Sequence, residues 1–241
     1  MDIKVLEWIN ATLHGSNVIN QMFRFITYLG EEGIGWLITA IVLLCFSKTR
    51  RVGLLMLAGY SAVAVMNSFI LKNIINRPRP FADNEGLKNF ITGIGMELPT
   101  SSSCPSGHTA ISVTSSVILV MNFKKKGMWA IIPAFLISFS RVFLCVHYPT
   151  DVLAGVLEGL ILGVSVTLVG RIILDKLESW WKKRKGVTST ANESNVEEEE
   201  LSNVITDESD IQKEDENVVE EKEKASGNTE SVISNNVAET N

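Results

Sequence analysis

Apolar residues gather into five runs: Gly33–Phe46, Val52–Leu71, Thr109–Phe123, Met128–Phe139 and Val152–Gly170. The fourth extends through Arg141 to Val146 and the fifth to Leu174. The second run contains no charged residue at all. A helix needs about 20 apolar residues to cross a bilayer. Inside lipid, helices and closed barrels are the only structures that satisfy their own backbone. The runs are too long and too uniformly apolar for alternating strands, so the pattern predicts about five membrane-spanning helices. Gly33–Phe46 is short for a span unless it starts near Tyr28 and keeps Glu31 and Glu32 in the interface.

Residues 1–29 follow another pattern. Ile3, Val5, Leu6, Ile9 and Leu13 recur at near-helical spacing among Asp2, Lys4, Glu7 and Asn10. This predicts an amphipathic helix at the interface, a turn at His14–Asn17 and a second short helix to Leu29. A basic leader followed by a small-residue cleavage site is missing here, so no cleaved signal peptide is expected. His14 reads as an ordinary exposed histidine.

The connections are unequal. Ser47–Arg51 and Lys124–Gly127 are short and basic, whereas Asn73–Pro105 is long and rich in Gly, Pro and Ser. Lys48, Arg50, Arg51, Lys124–Lys126, Lys176 and Lys182–Lys185 mark one face of the membrane as cytoplasmic. An odd number of spans then puts the N-terminus outside and the C-terminus inside. Trp180 and Trp181 read as an interfacial belt beside the last basic run. Three regions follow: 1–29 interfacial, 30–185 transmembrane, and 186–241 an acidic tail expected to be disordered in the cytoplasm. The fold class expected is all-α, a polytopic transmembrane helical bundle with an N-terminal interfacial helix and that tail.

Charge sharpens this division. The tail holds 16 of the 27 acidic residues and 3 of the 22 basic ones, a local charge of −13 that leaves the rest at +8. The overall −5 conceals a basic body suited to an anionic membrane surface and an anionic substrate. Cys45, Cys104 and Cys145 show no metal-ligand spacing, and a Cys104–Cys145 disulfide on the oxidising side stays open.

Three polar clusters sit at span ends on the predicted outer face. Ser102–His108 heads the third run, and its Pro-Ser-Gly stretch reads as a helix N-terminus with Ser106 as cap. Gly107 permits an anion to approach free N–H groups at the positive end of the helix dipole. His108 adds a group that exchanges a proton near neutral pH. Lys72, Arg79 and Arg141 are cations where a hydrocarbon boundary normally excludes them, and Arg grips two phosphate oxygens at once. Snorkelling to headgroups explains any one of them, but not all three together. His147 and Asp151 are four apart, and an Asp that accepts from one imidazole nitrogen leaves the other free to act as a nucleophile. Glu158, seven residues further on, is an ionisable group inside a span. A substrate contact and a hydrogen-bonded structural role both remain open for it.

In order along the chain stand Lys72-(six residues)-Arg79-Pro80, Pro105-Ser106-Gly107-His108 and Ser140-Arg141-(five residues)-His147-(three residues)-Asp151. This series resembles the three-part signature of the type 2 phosphatidic acid phosphatase (PAP2) superfamily, over roughly Gly30 to Leu174. The resemblance implies a metal-independent membrane phosphatase without a cofactor. Its substrate would be a lipid phosphate in the bilayer, and nucleic acid would play no part. His147 would form a phosphohistidine, Asp151 would orient it, and His108 would serve as acid and then base. Lys72, Arg79, Ser106, Gly107 and Arg141 would hold the phosphoryl oxygens. Among bacterial lipid phosphatases of this type, an outward-facing site suits undecaprenyl pyrophosphate. Phosphatidate and phosphatidylglycerophosphate are the alternatives. A lipid phosphotransferase, a vanadium haloperoxidase and a non-enzymatic scaffold or channel are the competing classes, and the apolar runs argue against the soluble haloperoxidases. Nothing in the sequence sets the oligomeric state.

Overall fold

The computed structural model describes residues 2–184, so the acidic tail at 186–241 lies outside the described residues. No strand occurs among the described residues. Besides short 3-10 turns, the described residues form α1 (Asp2–Leu13), α2 (Asn17–Leu29), α3 (Ile34–Cys45), α4 (Arg50–Ile75), α5 (Glu85–Gly93), α6 (Gly107–Phe123), α7 (Ile131–Phe143) and α8 (Pro149–Arg184). Three apolar helical stretches, 50–75, 107–143 and 149–184, are long enough to cross a membrane, and α2 with α3 forms a further pair bent by 45°.

The stretch 107–143 is not one rod. Lys124 takes φ +53, which stops α6, and a tight 3-10 segment follows over Lys124–Ala130. Ser116 donates to the Ala130 carbonyl at 2.9 Å, and α7 returns along α6. A Cβ on Gly127 would meet the Leu119 carbonyl oxygen at 2.2 Å, so this turn needs glycine.

Helix α6 lies at the centre of the bundle and packs on α4 and α7. Trp36, Ala40, Leu55, Met56, Ile118, Leu119, Ala134 and Ile137 make one core. The buried Trp36 indole donates to Ser112 at 2.9 Å, which satisfies both polar groups. Leu153, Leu157, Ile161, Leu168 and Ile172 of α8 stay exposed, the surface expected where lipid replaces water.

The opposite face of α8 carries Gly155, Gly159 and Gly163 at four-residue spacing. Small residues at this spacing let two helix backbones approach closely in a membrane. Cβ atoms here would meet the Ser106 carbonyl oxygen at 2.7 Å, Val113 Cβ at 2.7 Å and Val117 Cβ at 2.7 Å. This contact sets the first turn of α8 beside the first turn of α6, where Ser106 N–H donates to the Asp151 carbonyl at 3.1 Å.

A second core closes the end of the bundle where α6 and α8 begin. Leu6 and Ile9 of α1, Leu87 and Ile91 of α5, and Phe143, Leu144 and Val146 bury one another there. The N-terminal helix therefore packs onto protein through Leu6 and Ile9. His14 is a correction to the sequence expectation. It is half-buried, its ring stacks on Phe90 at 3.6 Å, and its nitrogens bond Asn10 Oδ1 at 2.8 Å and the Phe143 carbonyl at 2.7 Å. Burial pulls its pKa below the ordinary value. Helix α5 is also new, because the long connection reads as loop in the sequence. Asn84 caps it by accepting from Leu87 N–H at 3.1 Å. The three cysteines are free thiols.

Gly159→Ala should lower the melting temperature of the purified protein in detergent, because its Cβ meets backbone and a β-branched side chain that cannot yield. A cost of about 1–3 kcal/mol is expected. Gly15→Ala, with nothing within 4 Å of its Cβ, should leave the melting temperature unchanged.

Candidate functional site

The three polar clusters meet at the α1-covered end of the bundle, each held there by a different local device. Helix α4 ends at Asn76, which takes a left-handed conformation (φ 42). The prolines that follow prevent the helix from resuming. Lys72 thus stands in the last turn, with Arg79 on the loop beyond. Along α4, Ala64–Leu71 is wound as a π-helix, which turns Asn67 inward. Such bulges concentrate at functional sites.

Ser106 occupies the N-cap position of α6, but its hydroxyl does not cap the helix. It is fully buried and accepts from Thr109 Oγ1 at 3.1 Å. Gly107 and His108 form the wall of the cavity at this helix start.

After α7 the chain reverses sharply. Cys145 has φ 55, and both Val146 and His147 N–H groups donate to the Arg141 carbonyl at 3.2 and 3.3 Å. This reversal sets His147 beside Arg141. Helix α8 then starts at Pro149, a residue suited to the first helical position. Asp151 reaches back to accept from Tyr148 N–H at 3.0 Å, one half of a capping box.

A cavity of about 510 Å³ opens here, lined among others by Lys72, Arg79, Gly107, His108, Arg141 and His147. Six of the eight residues singled out in the sequence thus border one space. Ser106 and Asp151 are fully buried beside it. Glu31 and Asn67 also line it.

Arg79 is clamped. Its Nε donates to the Ser101 carbonyl at 2.7 Å, Nη2 to Ser101 Oγ at 3.1 Å and Nη1 to the Val146 carbonyl at 3.1 Å. Lys72 Nζ donates to the same Ser101 hydroxyl at 3.4 Å. Burial lowers the Arg79 pKa to about 10, opposed by the charge of Asp151, so the guanidinium keeps its charge at neutral pH. Arg141 is buried and donates to Thr27 Oγ1, while its Nε has no protein partner. A buried guanidinium with an open donor fits an anion.

His147 Nε2 lies 3.5 Å from Arg79 Nη1, and Nδ1 lies 3.6 Å from Asp151 Oδ2. The latter distance is an electrostatic contact and not a formed hydrogen bond. Ser103 intervenes: its hydroxyl donates to Asp151 Oδ2 and lies 3.5 Å from His147 Nδ1. Burial pushes the His147 imidazole down to about 3. Asp151 opposes this shift, and the Arg141 and Arg79 cations add to it. The ring is therefore neutral at physiological pH, with a lone pair available.

Sequence reasoning did not single out Ser103, Asn67, Thr27 or Arg77. Ser103 and Arg77 fall within or beside the polar stretches without a distinguishing spacing. Asn67 gives one signal, a lone amide in an otherwise apolar span. Its Nδ2 donates to Glu158 Oε2 at 2.7 Å. Asn67 lines the cavity, and the buried Glu158 acts behind it.

Residues 53–173 match the family model of the PAP2 superfamily. The chain belongs to that superfamily and is a phosphoric ester hydrolase of the membrane-embedded PAP2 type. It is 34% identical over 145 residues to an undecaprenyl-diphosphatase of Sulfolobus acidocaldarius, across 58% of this chain and 66% of that relative. It is 32% identical over 151 residues to the decaprenylphosphoryl-5-phosphoribose phosphatase of Mycobacterium tuberculosis, across 61% of this chain and 78% of that one. Its fold resembles the crystal structure of a transmembrane PAP2-type phosphatidylglycerolphosphate phosphatase from Bacillus subtilis. That likeness has a TM-score of 0.54 at 24% identity and covers 73% of this chain and 85% of the other.

Because the folded pKa of His147, about 3, lies below the ordinary 6.5, the unfolded chain takes up a proton first as pH falls. Stability should therefore decline from about pH 6.5 toward pH 3, by at most about 1.4 kcal/mol per pH unit from this group. Melting in detergent across that range should show a shallower decline in His147→Asn than in wild type.

Proposed function

We propose that this protein removes phosphate from a polyprenyl lipid through a phosphohistidine, with undecaprenyl pyrophosphate yielding undecaprenyl phosphate. One observation carries the reading: two histidines and three cations border a single cavity at the end of an apolar bundle. The cations neutralise a phosphoryl group in a poorly hydrated site, where preorganised donors stabilise developing charge more than water does.

In the first step His147 Nε2 attacks phosphorus and the bond from phosphorus to the leaving oxygen breaks. His108 gives its proton to that oxygen. In the second step His108 takes a proton from water, the water oxygen bonds to phosphorus, and the P–N bond breaks to return neutral His147. Asp151 holds the imidazole tautomer with its proton on Nδ1. Lys72, Arg79, Arg141 and the Gly107 N–H receive the phosphoryl oxygens, and Ser106 shapes the turn that presents that N–H.

The polyprenyl preference is supported by the two relatives, an undecaprenyl-diphosphatase and a decaprenylphosphoryl-5-phosphoribose phosphatase. The topology we propose has five spans, formed by α3, α4, α6, α7 and α8. Lys48, Arg50, Arg51 and Lys124–Lys126 at the far end face the cytoplasm, and the cavity faces outward. A lipid phosphate delivered to the outer leaflet then meets the site at the depth of its headgroup.

Purified full-length protein in detergent with EDTA should release phosphate from undecaprenyl pyrophosphate faster than from phosphatidate or phosphatidylglycerophosphate. Radiolabelled substrate should leave an acid-labile label on the wild type. His147→Asn should abolish both label and turnover, and His108→Ala should slow turnover by roughly 10²–10⁴. Full turnover by purified His147→Asn would overturn the mechanism.

A further inference from the structure

Asp151 is fully buried, yet its two oxygens do different work. Oδ2 faces His147 and accepts from Ser103 and Tyr148 N–H. Oδ1 accepts from Arg77 Nη1 at 2.7 Å. Arg77 is one of the six unspecified residues between Lys72 and Arg79, and it stands outside the cavity wall. It cannot serve as a ligand for the phosphoryl group from there.

Its placement is heavily determined. Arg77 N–H donates to Ser102 Oγ at 3.0 Å, and Ser103 N–H donates to the Arg77 carbonyl at 2.9 Å. Arg77 and Ser103 are thus paired through their backbones, and their side chains grip opposite oxygens of one carboxylate. The guanidinium also lies 4.0 Å from the centre of the Tyr148 ring, a cation–π contact. Nη1 further donates to Thr150 Oγ1 at 2.7 Å. Nη2 donates to Asp2 Oδ2 at 3.1 Å, and Thr150 donates to the same Asp2 oxygen.

Asp2 belongs to α1, whose Leu6 and Ile9 pack in the apolar core at the site end. The polar chain therefore runs from the N-terminal helix through Arg77 to the carboxylate that faces His147. Two carboxylates flank one guanidinium, and the arrangement fixes the plane of the Asp151 group.

We propose that Arg77 is a positioning residue for the His147–Asp151 pair, and that Asp2 holds Arg77 in place and so makes the N-terminal helix part of the working site. This rests on the phosphatase reading above. Without Arg77, Asp151 keeps Ser103 and Tyr148 but loses the bond that sets its rotation. Oδ2 then no longer meets Nδ1 as the phosphohistidine forms. Misplacement on this scale costs about ten- to a hundredfold in rate, and because Arg77 does not line the cavity the loss falls on kcat.

The test uses full-length protein with a C-terminal tag, so that Asp2 stays undisturbed, and undecaprenyl pyrophosphate in detergent with EDTA. Arg77→Gln should lower kcat about ten- to a hundredfold with KM within about twofold. Arg77→Lys, which keeps the charge and one donor, should recover part of the loss. Asp2→Asn should lower kcat about two- to fivefold and add nothing in the Arg77→Gln background, the non-additivity of a shared network. Should Arg77→Gln fail to fold by thermal melting, Arg77→Lys and Asp2→Asn still decide the matter. Wild-type kcat in the folded variants, or a raised KM at unchanged kcat, would overturn the positioning role and leave the phosphatase reading intact. A wild type that releases no phosphate from any lipid phosphate would overturn both.

Discussion

A carboxylate withdrawn wholly from solvent must be met on every lone pair, and Asp151 is such a group. Much of the site end of this bundle is arranged to meet it. The loop before α6 supplies the Ser103 hydroxyl, the start of α8 supplies the Tyr148 N–H, and the loop after α4 supplies Arg77. Three stretches far apart in the chain are thereby drawn to one point. The imidazole of His147 lies against the remaining side of the same carboxylate.

Close helix approach makes this convergence possible. The glycines of α8 bring its backbone against α6, so that the first turns of the two helices lie side by side. The site then forms where polar helix ends and loops meet. Irregular backbone at helix ends needs protein or water around it to satisfy its polar groups. The α1–α5 layer over this end supplies that cover, with Leu6, Ile9, Leu87 and Ile91 packed on Phe143–Val146.

The electrostatic logic is asymmetric. Arg79 donates to neutral acceptors, the Ser101 and Val146 carbonyls and a hydroxyl, and so is not locked into a direct ion pair before an anion arrives. Arg141 carries a guanidinium nitrogen with no protein partner. Arg77, by contrast, is matched by two carboxylates. Two arginines only two residues apart thus serve opposite ends, one open to a ligand and one committed to the protein. His147 stays neutral because burial and the neighbouring cations outweigh its carboxylate.

How much of this was legible in the chain depends on the kind of information involved. Apolar runs long enough for lipid, basic turns at one end and three polar clusters at the other are local patterns, and they predicted a helical membrane bundle and the cavity's histidines and cations. Helix α8 opens at Pro149, whose missing N–H suits the first helical position. Other features depended on contacts between distant residues. The half-buried state of His14 comes from Phe90 and the Phe143 carbonyl, 76 and 129 positions away. Helix α5 stayed hidden because Gly and Pro around it outweighed a short run at helical spacing. The hydroxyl of Ser106 turned from its expected cap to Thr109, and Asn67 was turned inward by a π-helical stretch that no residue pattern announces. Composition and spacing act within a turn or a span and so determined the elements and the reactive groups. Which oxygen of Asp151 meets which partner is a matter of long-range packing, and only the tertiary structure decided it.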